Sequence, residues 1–511
     1  MNQFDRQDPH LLARAARAPR RPLVLLLATA MLAGCAAGPD YRAPPAVDVG
    51  NGWVDPPPAT TPAPDLAQWW RNLGDPQLDR LIDAALRHNL DLRQATARID
   101  EARALRDRAA GGRQPVVAGS GNVNRRQQSR HGPLPVGALP GLDATQTIHD
   151  VGFDAAWEID LAGGQRRALE AADARLAAMA ADASGVRMRV TAEVARTWYE
   201  ASGAAAELRS QRALVQLRAQ TLALTRERLA NGDAARADLD TATAQWAAAD
   251  ALLPAIEARQ RATVLGLAVL LGAPPERELA LLDAPPAAPR LLPLPVGERA
   301  DILRRRPDVA AAERRLAASS ADVGVATAEL FPRLSIAVGG GFQALDASQW
   351  LDRSSSRFSL LPLISWRVFD GGRVRAEIRA REAAQRQAAA VYEQVVLAAL
   401  GEAERALAEY RASLDTLARQ QHALAAARRS CDHARARHTA GDIALFEVLV
   451  AERTLQEAQL ASTQAQTAAT TRLVALYKAL GGGWGADAAS VQAPSPGHAL
   501  AATPPPHTAA Y

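Results

Sequence analysis

Lysine is all but missing from this chain of 511 residues: Lys478 is the only one, and every other base is Arg. No Gly-Lys-Ser/Thr run exists, so a phosphate-binding loop is excluded. Cysteine is scarce as well, with Cys35 and Cys431 alone, so no disulfide framework staples the fold. Aromatic residues make up 4% of the chain, while alanine dominates an apolar fraction of 48%. A large globular core normally draws on more bulky side chains; long helices that meet at small residues need fewer. Motifs of hydrolytic and metal chemistry are also lacking: there is no His-Glu-x-x-His, no paired-Cys motif and no Gly-x-Ser-x-Gly. The expectation is a chain that is no enzyme, with no catalytic residue, metal or cofactor. Cys431-Asp432-His433 does not alter that, because adjacent residues point to different sides of a helix; Cys431 reads as a small buried apolar residue.

Nor does charge single out a partner. Of the formal +4, residues 1–34 carry five Arg against Asp5 and Asp8. What remains is balanced, which argues against nucleic acid.

Residues 20–35 run from Arg20-Arg21 through a short apolar core to small residues, the order of a secretory signal. Leu32-Ala33-Gly34-Cys35 has the form of a lipobox. Residues 1–34 are therefore expected to be a lipoprotein signal peptide, and Cys35 to carry covalent lipid: diacylglycerol on the thiol and an acyl chain on the freed amine. Several chains give a stable anchor. By analogy with lipoprotein sorting, Ala36 in place of Asp after the Cys directs the protein to the outer membrane. Residues 35–65, rich in Pro beyond residue 42, read as a tether.

The strongest internal signal is a repeat. Trp157 and Trp366, Gly232 and Gly441, and Gly272 and Gly481 all stand 209 apart. Upstream, Asp91–Pro115 matches Asp308–Pro332 at an offset of 217. Each half reads helix, β segment, loop, β segment, very long helix, Gly-Asp turn, shorter helix. The long helix at 165–230 holds no Pro. Gly closes one helix in the left-handed conformation and Asp can cap the next. A helical stretch opened by Asp75-Pro76 is expected to run to about Ala110, and another from 234 to 271. The division follows: a first repeat at 66–272, a linker at 273–300, a second repeat at 301–484 and a tail at 485–511.

Residues 150–161 alternate: Val151, Phe153, Ala155, Trp157 and Ile159 are apolar, and Asp150, Gly152, Asp154 and Glu158 lie between them. Residues 334–342 alternate too; 116–124 and 357–369 do so less cleanly. Such ribbons suit a transmembrane barrel, apolar outward and polar inward. Four strands cannot close one, and an open edge in lipid leaves backbone groups unpaired. Two copies would give a lumen filled by side chains, so a cyclic trimer or larger ring is preferred.

Here the sequence resembles the TolC-like outer-membrane factors, specifically the efflux lipoproteins of the NodT type. The likeness is carried by Gly38-Pro39-Asp40-Tyr41, Asp75-Pro76-Gln77-Leu78, Asn89-Leu90-Asp91-Leu92-Arg93, Asp301 to Asp308, Phe331-Pro332 and Leu476 to Trp484. It implies a mixed α and β membrane protein: a trimeric channel with a twelve-stranded outer-membrane β-barrel, four strands per chain, continuous with a periplasmic α-helical barrel. It implies partners as well, a periplasmic membrane-fusion adaptor and an inner-membrane pump of the resistance-nodulation-division type. The chain would then be a passive exit duct in a tripartite efflux system, extending from the outer membrane into the periplasm. The alternative is a channel for type I protein secretion; lipidation and the Leu476–Trp484 ending favour efflux. A periplasmic adaptor would have one hairpin and a lipoyl-like domain, not two hairpins with four amphipathic strands.

By the same resemblance, the pore is gated by carboxylates at the start of the shorter helices. Those positions are Asp238 and Glu447. Val450 stands where the family often carries Asp, so one acidic ring is absent or replaced by an apolar constriction. The adaptor is expected to dock at the turns, through Arg228, Leu229, Gly232 and Asp233 in the first half and Gly441, Asp442 and Leu445 in the second.

Overall fold

A computed structural model describes residues 36–42, 50, 52–54, 66–129, 143–284, 289–291 and 296–484. The signal peptide, Cys35, most of the tether and the tail lie outside the described residues. The chain divides into two units. Of the described residues, the first holds 36–42 together with those of Ala97–Met179 and Val309–Val396; the second holds those of Val49–Thr96, Ala180–Asp308 and 397–484.

The first unit contains a four-stranded antiparallel sheet of β1 (Val116–Gln127), β2 (Thr145–Ile159), β3 (Arg333–Ala344) and β4 (Ser356–Ser365), in that spatial order. The register puts Val117, Ala155, Val338 and Leu360 in one row, and Gly119, Phe153, Gly340 and Phe358 in the next. That face is apolar and open: Phe153 is 69% exposed and Phe358 75%. The opposite face carries Ser120, Asn122, Asp150, Asp154, Gln343 and Arg357, and below them one apolar row of Val116, Ala156, Ala337 and Leu361. On it Arg357 donates to Asp150 at 2.8 Å and Gln343 donates to the same carboxylate at 2.6 Å. Gly152 and Gly341 face each other on this polar side. A Cβ on Gly152 would lie 2.6 Å from the Gly340 carbonyl, and one on Gly341 would collide with the Val151 carbonyl. Removing side chains from that face lets the sheet curl toward it.

β2 begins at Thr145, five residues before the alternation becomes clean, because Thr145–Asp150 pair with Asn122–Gln127 of β1. The cross-strand partner extends a ribbon into sequence too polar to announce itself. β4 ends at Ser365, opposite Arg333, and not at 369.

Each base of the sheet is tied in the same way in both halves. The Trp157 indole donates to the Arg113 carbonyl and the Trp366 indole to the Leu330 carbonyl, both at 3.0 Å. The long helices that follow, α3 (Gly164–Ala230) and α8 (Arg373–Thr439), have 67 residues each, or about 100 Å of rise. Asp160 and Asp370 cap their first turns through the amides of Gln165, Arg166, Gly372 and Val374. Residues 36–42 form a strap docked on this unit. Ala37 N–H donates to Ala162 at 2.8 Å, and Gly38 lies against Gly324 of α7 (Pro307–Ala328). The buried Arg167 guanidinium reaches Asp40 at 2.5 Å, and the Tyr41 hydroxyl donates to Glu313 at 3.1 Å.

The second unit holds the main hydrophobic core, built on Trp69, Trp70, Leu73, Leu78, Ile82 and Trp198. Trp69 stacks on Tyr477 at 4.7 Å. Asp75 caps α1 (Pro76–His88) through the amides of Gln77 and Leu78 and also accepts the buried Trp198 indole N–H at 2.7 Å. The helix expected to run to about Ala110 breaks at Asn89, and α2 is Leu90–Gly111. Asn89 is extended; its carbonyl oxygen caps α2 through Asp91 and Leu92, and its amide donates to the Leu270 carbonyl at 2.8 Å.

The stretch 234–271 is likewise two helices, α4 (Arg236–Asp250) and α5 (Leu253–Leu270). Pro254 sits in the first turn of α5, where its missing N–H is tolerated and a continuous helix is not. The second half has Thr463 at that place, and its counterpart α9 (Leu445–Ala479) runs unbroken for 35 residues. Before α7 stands the short α6 (Arg299–Arg305). No described helix is long and apolar enough to cross a membrane.

The two halves repeat their key contact in different chemistry. Arg306, 217 residues after Asn89, donates to the Ala479 carbonyl at 3.1 Å, and Ala479 is 209 residues after Leu270. Its guanidinium also meets Asp308 at 2.7 Å and Glu402 at 2.8 Å. A Cβ on Gly272 would collide with the His88 carbonyl, and one on Gly481 would stand 3.3 Å from that of Arg305.

Candidate functional site: the hairpin turns and the sheet face

Both long helices end in the same motif. Gly232 and Gly441 have φ of 84° and 85°. The N–H of Asp233 donates to the Arg228 carbonyl at 2.8 Å and that of Gly232 to Leu229 at 3.1 Å; Asp442 and Gly441 repeat the pair with Arg437 and His438 at 2.9 Å. These bonds satisfy the terminal carbonyls in a Schellman closure. A Cβ at either glycine would meet nothing within 4 Å. Arg228, Asp233 and Asp442 are exposed and Leu229 and Leu445 half-buried, so each turn offers polar rims around an apolar side chain.

Asp238 and Glu447 occupy matching places, third in α4 and third in α9. Both are exposed. Asp238 accepts the Ala235 N–H at 3.0 Å, and both carboxylates sit where the helix dipole favours a negative charge. Val450 is 49% exposed, and Phe446, one turn before it, is 67% exposed. Sequence reasoning missed Phe446. The i, i+4 spacing that puts it on the face of Val450 was the available signal.

Behind the second turn the helices are joined by charge. Arg435 donates to Glu452 at 3.0 Å, and that carboxylate side chain is 8% exposed. Buried Arg218 donates to Gln245 at 2.9 Å, and burial pulls its pKa down. Cys431 is fully buried, and burial pushes its thiol pKa up. Among the described residues no group of His, Cys, Asp or Glu is placed to hold a metal ion.

An open-edged sheet with an apolar outer face and a polar inner one, together with two long hairpins of α-helix, defines the subunit of an outer-membrane channel of the TolC type. The chain belongs to the outer membrane efflux protein family, whose model matches residues 81–273 and 299–482. It is similar to the pyoverdine export outer membrane protein OpmQ of Pseudomonas putida, at 32% identity over 92% of this chain and 98% of that one. A solved structure of the outer-membrane channel OprN superposes with a TM-score of 0.78 and 36% identity, over 88% of this chain and all of that one. The probable outer membrane lipoprotein SilC of Salmonella typhimurium is 28% identical over 89% of this chain and 97% of its own length. The protein is thus the outer-membrane channel component of an efflux system, and it is not an enzyme.

Proposed function

We propose that three copies close their sheets into one twelve-stranded barrel and serve as the passive exit duct of a tripartite pump. The observation that carries this reading is the sheet itself: one face apolar and exposed, the other lined by Asp150, Arg357 and Gln343, with both edge strands lacking an outer neighbour among the described residues. An unpaired edge has no place in lipid. The repeats at 66–272 and 301–484, joined by 273–300, supply the wall in equal parts.

Signal peptide 1–34 is removed, and lipid on Cys35 anchors the chain in the outer membrane; the likeness to a named lipoprotein supports this. A periplasmic adaptor grips the turns at Arg228, Leu229, Gly232, Asp233, Gly441, Asp442 and Leu445, and it links the channel to an inner-membrane pump of the resistance-nodulation-division type. The gate is formed by Asp238 and Glu447 with Val450, to which Phe446 is added. Light scattering of the detergent-extracted protein and conductance in planar lipid test the assembly. A trimer that conducts ions is expected; a monomer without conductance overturns it.

A further inference from the structure

We propose that the internal repeat dictates how one copy joins the next: β4 pairs with β1 of the neighbouring copy so that Ser365 faces Ser120, Trp366 faces Gly119 and Val368 faces Val117. The proposal rests on the ring assembly above and adds the register of its seam.

The registers within the chain carry it. In the first hairpin Val116 faces Ala156 and Val117 faces Ala155. Adding 217 to the β1 residue and 209 to the β2 residue gives Arg333 with Ser365 and Leu334 with Ile364, which are the observed partners in β3 and β4. The repeat thus extends to the backbone pairing. β2 also pairs with β3, the start of the second repeat, with Ala156 facing Ala337, Trp157 facing Ile336 and Ile159 facing Leu334. In a ring of repeats, β4 must meet the next first repeat as β2 meets the second. Moving β2 forward by 209 and β3 back by 217 turns those pairs into Ser365 with Ser120, Trp366 with Gly119, and Val368 with Val117.

The two faces of the sheet agree with this pairing. A slip of one residue would turn apolar side chains into the lumen. The derived register puts Trp366 and Val368 on the apolar face with Gly119 and Val117, and Ser365 on the polar face with Ser120.

Cysteine cross-linking in the full-length protein tests the seam, in a Cys431→Ser background. Directly opposed Cα atoms lie about 4.5–5.5 Å apart, inside the disulfide window of about 4.4–6.8 Å; partners shifted by two lie at about 7–8 Å. Ser120→Cys with Ser365→Cys is expected to yield covalent dimer and trimer on a non-reducing gel after mild oxidation, and reduction should collapse both. Ser120→Cys with Leu363→Cys should not do so, nor should any single variant. Ala156→Cys with Ala337→Cys, the equivalent pair inside one chain, should cross-link without a ladder and so verify the chemistry. Cross-linking by the shifted pair alone, or by neither pair in material that scatters as an oligomer, overturns the register and leaves the ring reading standing. Absence of both cross-links in monomeric material overturns both.

Discussion

Replacing Arg306 with Met removes a guanidinium that ties the C-terminus of α9 to the start of α7. The residue is 5% exposed and donates to three acceptors: the Ala479 carbonyl, Asp308 and Glu402. A buried carbonyl left without its donor costs about 1–3 kcal/mol. The two carboxylates lose less, because their side chains are 43% and 31% exposed and water covers part of the loss; each contributes about 0.5 kcal/mol. Met fills much of the same volume, so cavity formation adds little. The total is about 3 kcal/mol, which for a unit approaching 300 residues, at about 2.1 cal/mol/K of unfolding entropy per residue, lowers the melting midpoint by about 5 °C. Circular dichroism melts of the detergent-extracted protein at one scan rate measure it. Arg306→Lys keeps a charge but cannot span three acceptors, so it should recover less than half the loss. Asn89→Ala, the counterpart in the first half, removes the α2 cap and the Leu270 contact and should cost about 2–3 kcal/mol. An Arg306→Met variant that melts within about 2 °C of the native protein would refute the assignment of this side chain as a helix clamp.

Four further outcomes are expected. Gly441→Pro, which forces φ from 85° to about −65° and deletes the N–H that donates to His438, should abolish export while heat-modifiable trimer still reaches the outer membrane; full export would refute docking at the turn. Cys35→Ser should end incorporation of labelled palmitate, and unchanged labelling would refute the lipobox. Val450→Asp adds a carboxylate one turn from Glu447 and should raise cation selectivity in planar lipid; an unchanged reversal potential would remove Val450 from the pore. Finally, burial, reinforced by Glu313, pushes the Tyr41 pKa up to about 12. The folded state therefore favours the neutral phenol, so the strap's stability is full below about pH 10 and is lost as pH rises toward 12. Tyr41→Phe should flatten the fall in melting midpoint over that window.

What the sequence made legible, and what it hid, separates by the range of the interactions. The turns at Gly232 and Gly441 were readable because a left-handed glycine followed by Asp needs only its own neighbours. The apolar row of β2 was readable because a strand has period two. The break at Asn89 was not, since its amide serves the carbonyl of Leu270, 181 residues away; without that partner an Asn in a helical pattern is unremarked. Pro254 was in plain view and sufficient to split 234–271, because no distant contact is needed for a ring that lacks a donor. The segment Asp301–Asp308 stood out as a signature, yet its physical task at Arg306 depends on an α9 terminus that local reading cannot bring to it. The strand ends go one step further. β2 continues to Ile159 because Leu334 pairs with it, whereas β4, its twin, stops at Ser365 and leaves Val368 79% exposed. Within the chain the Val368 N–H turns back to the Trp366 carbonyl at 3.2 Å, at the place where Ile159 has Leu334 across from it. The partner strand that separates the two ends lies far away in sequence, so local reading cannot set where either strand stops.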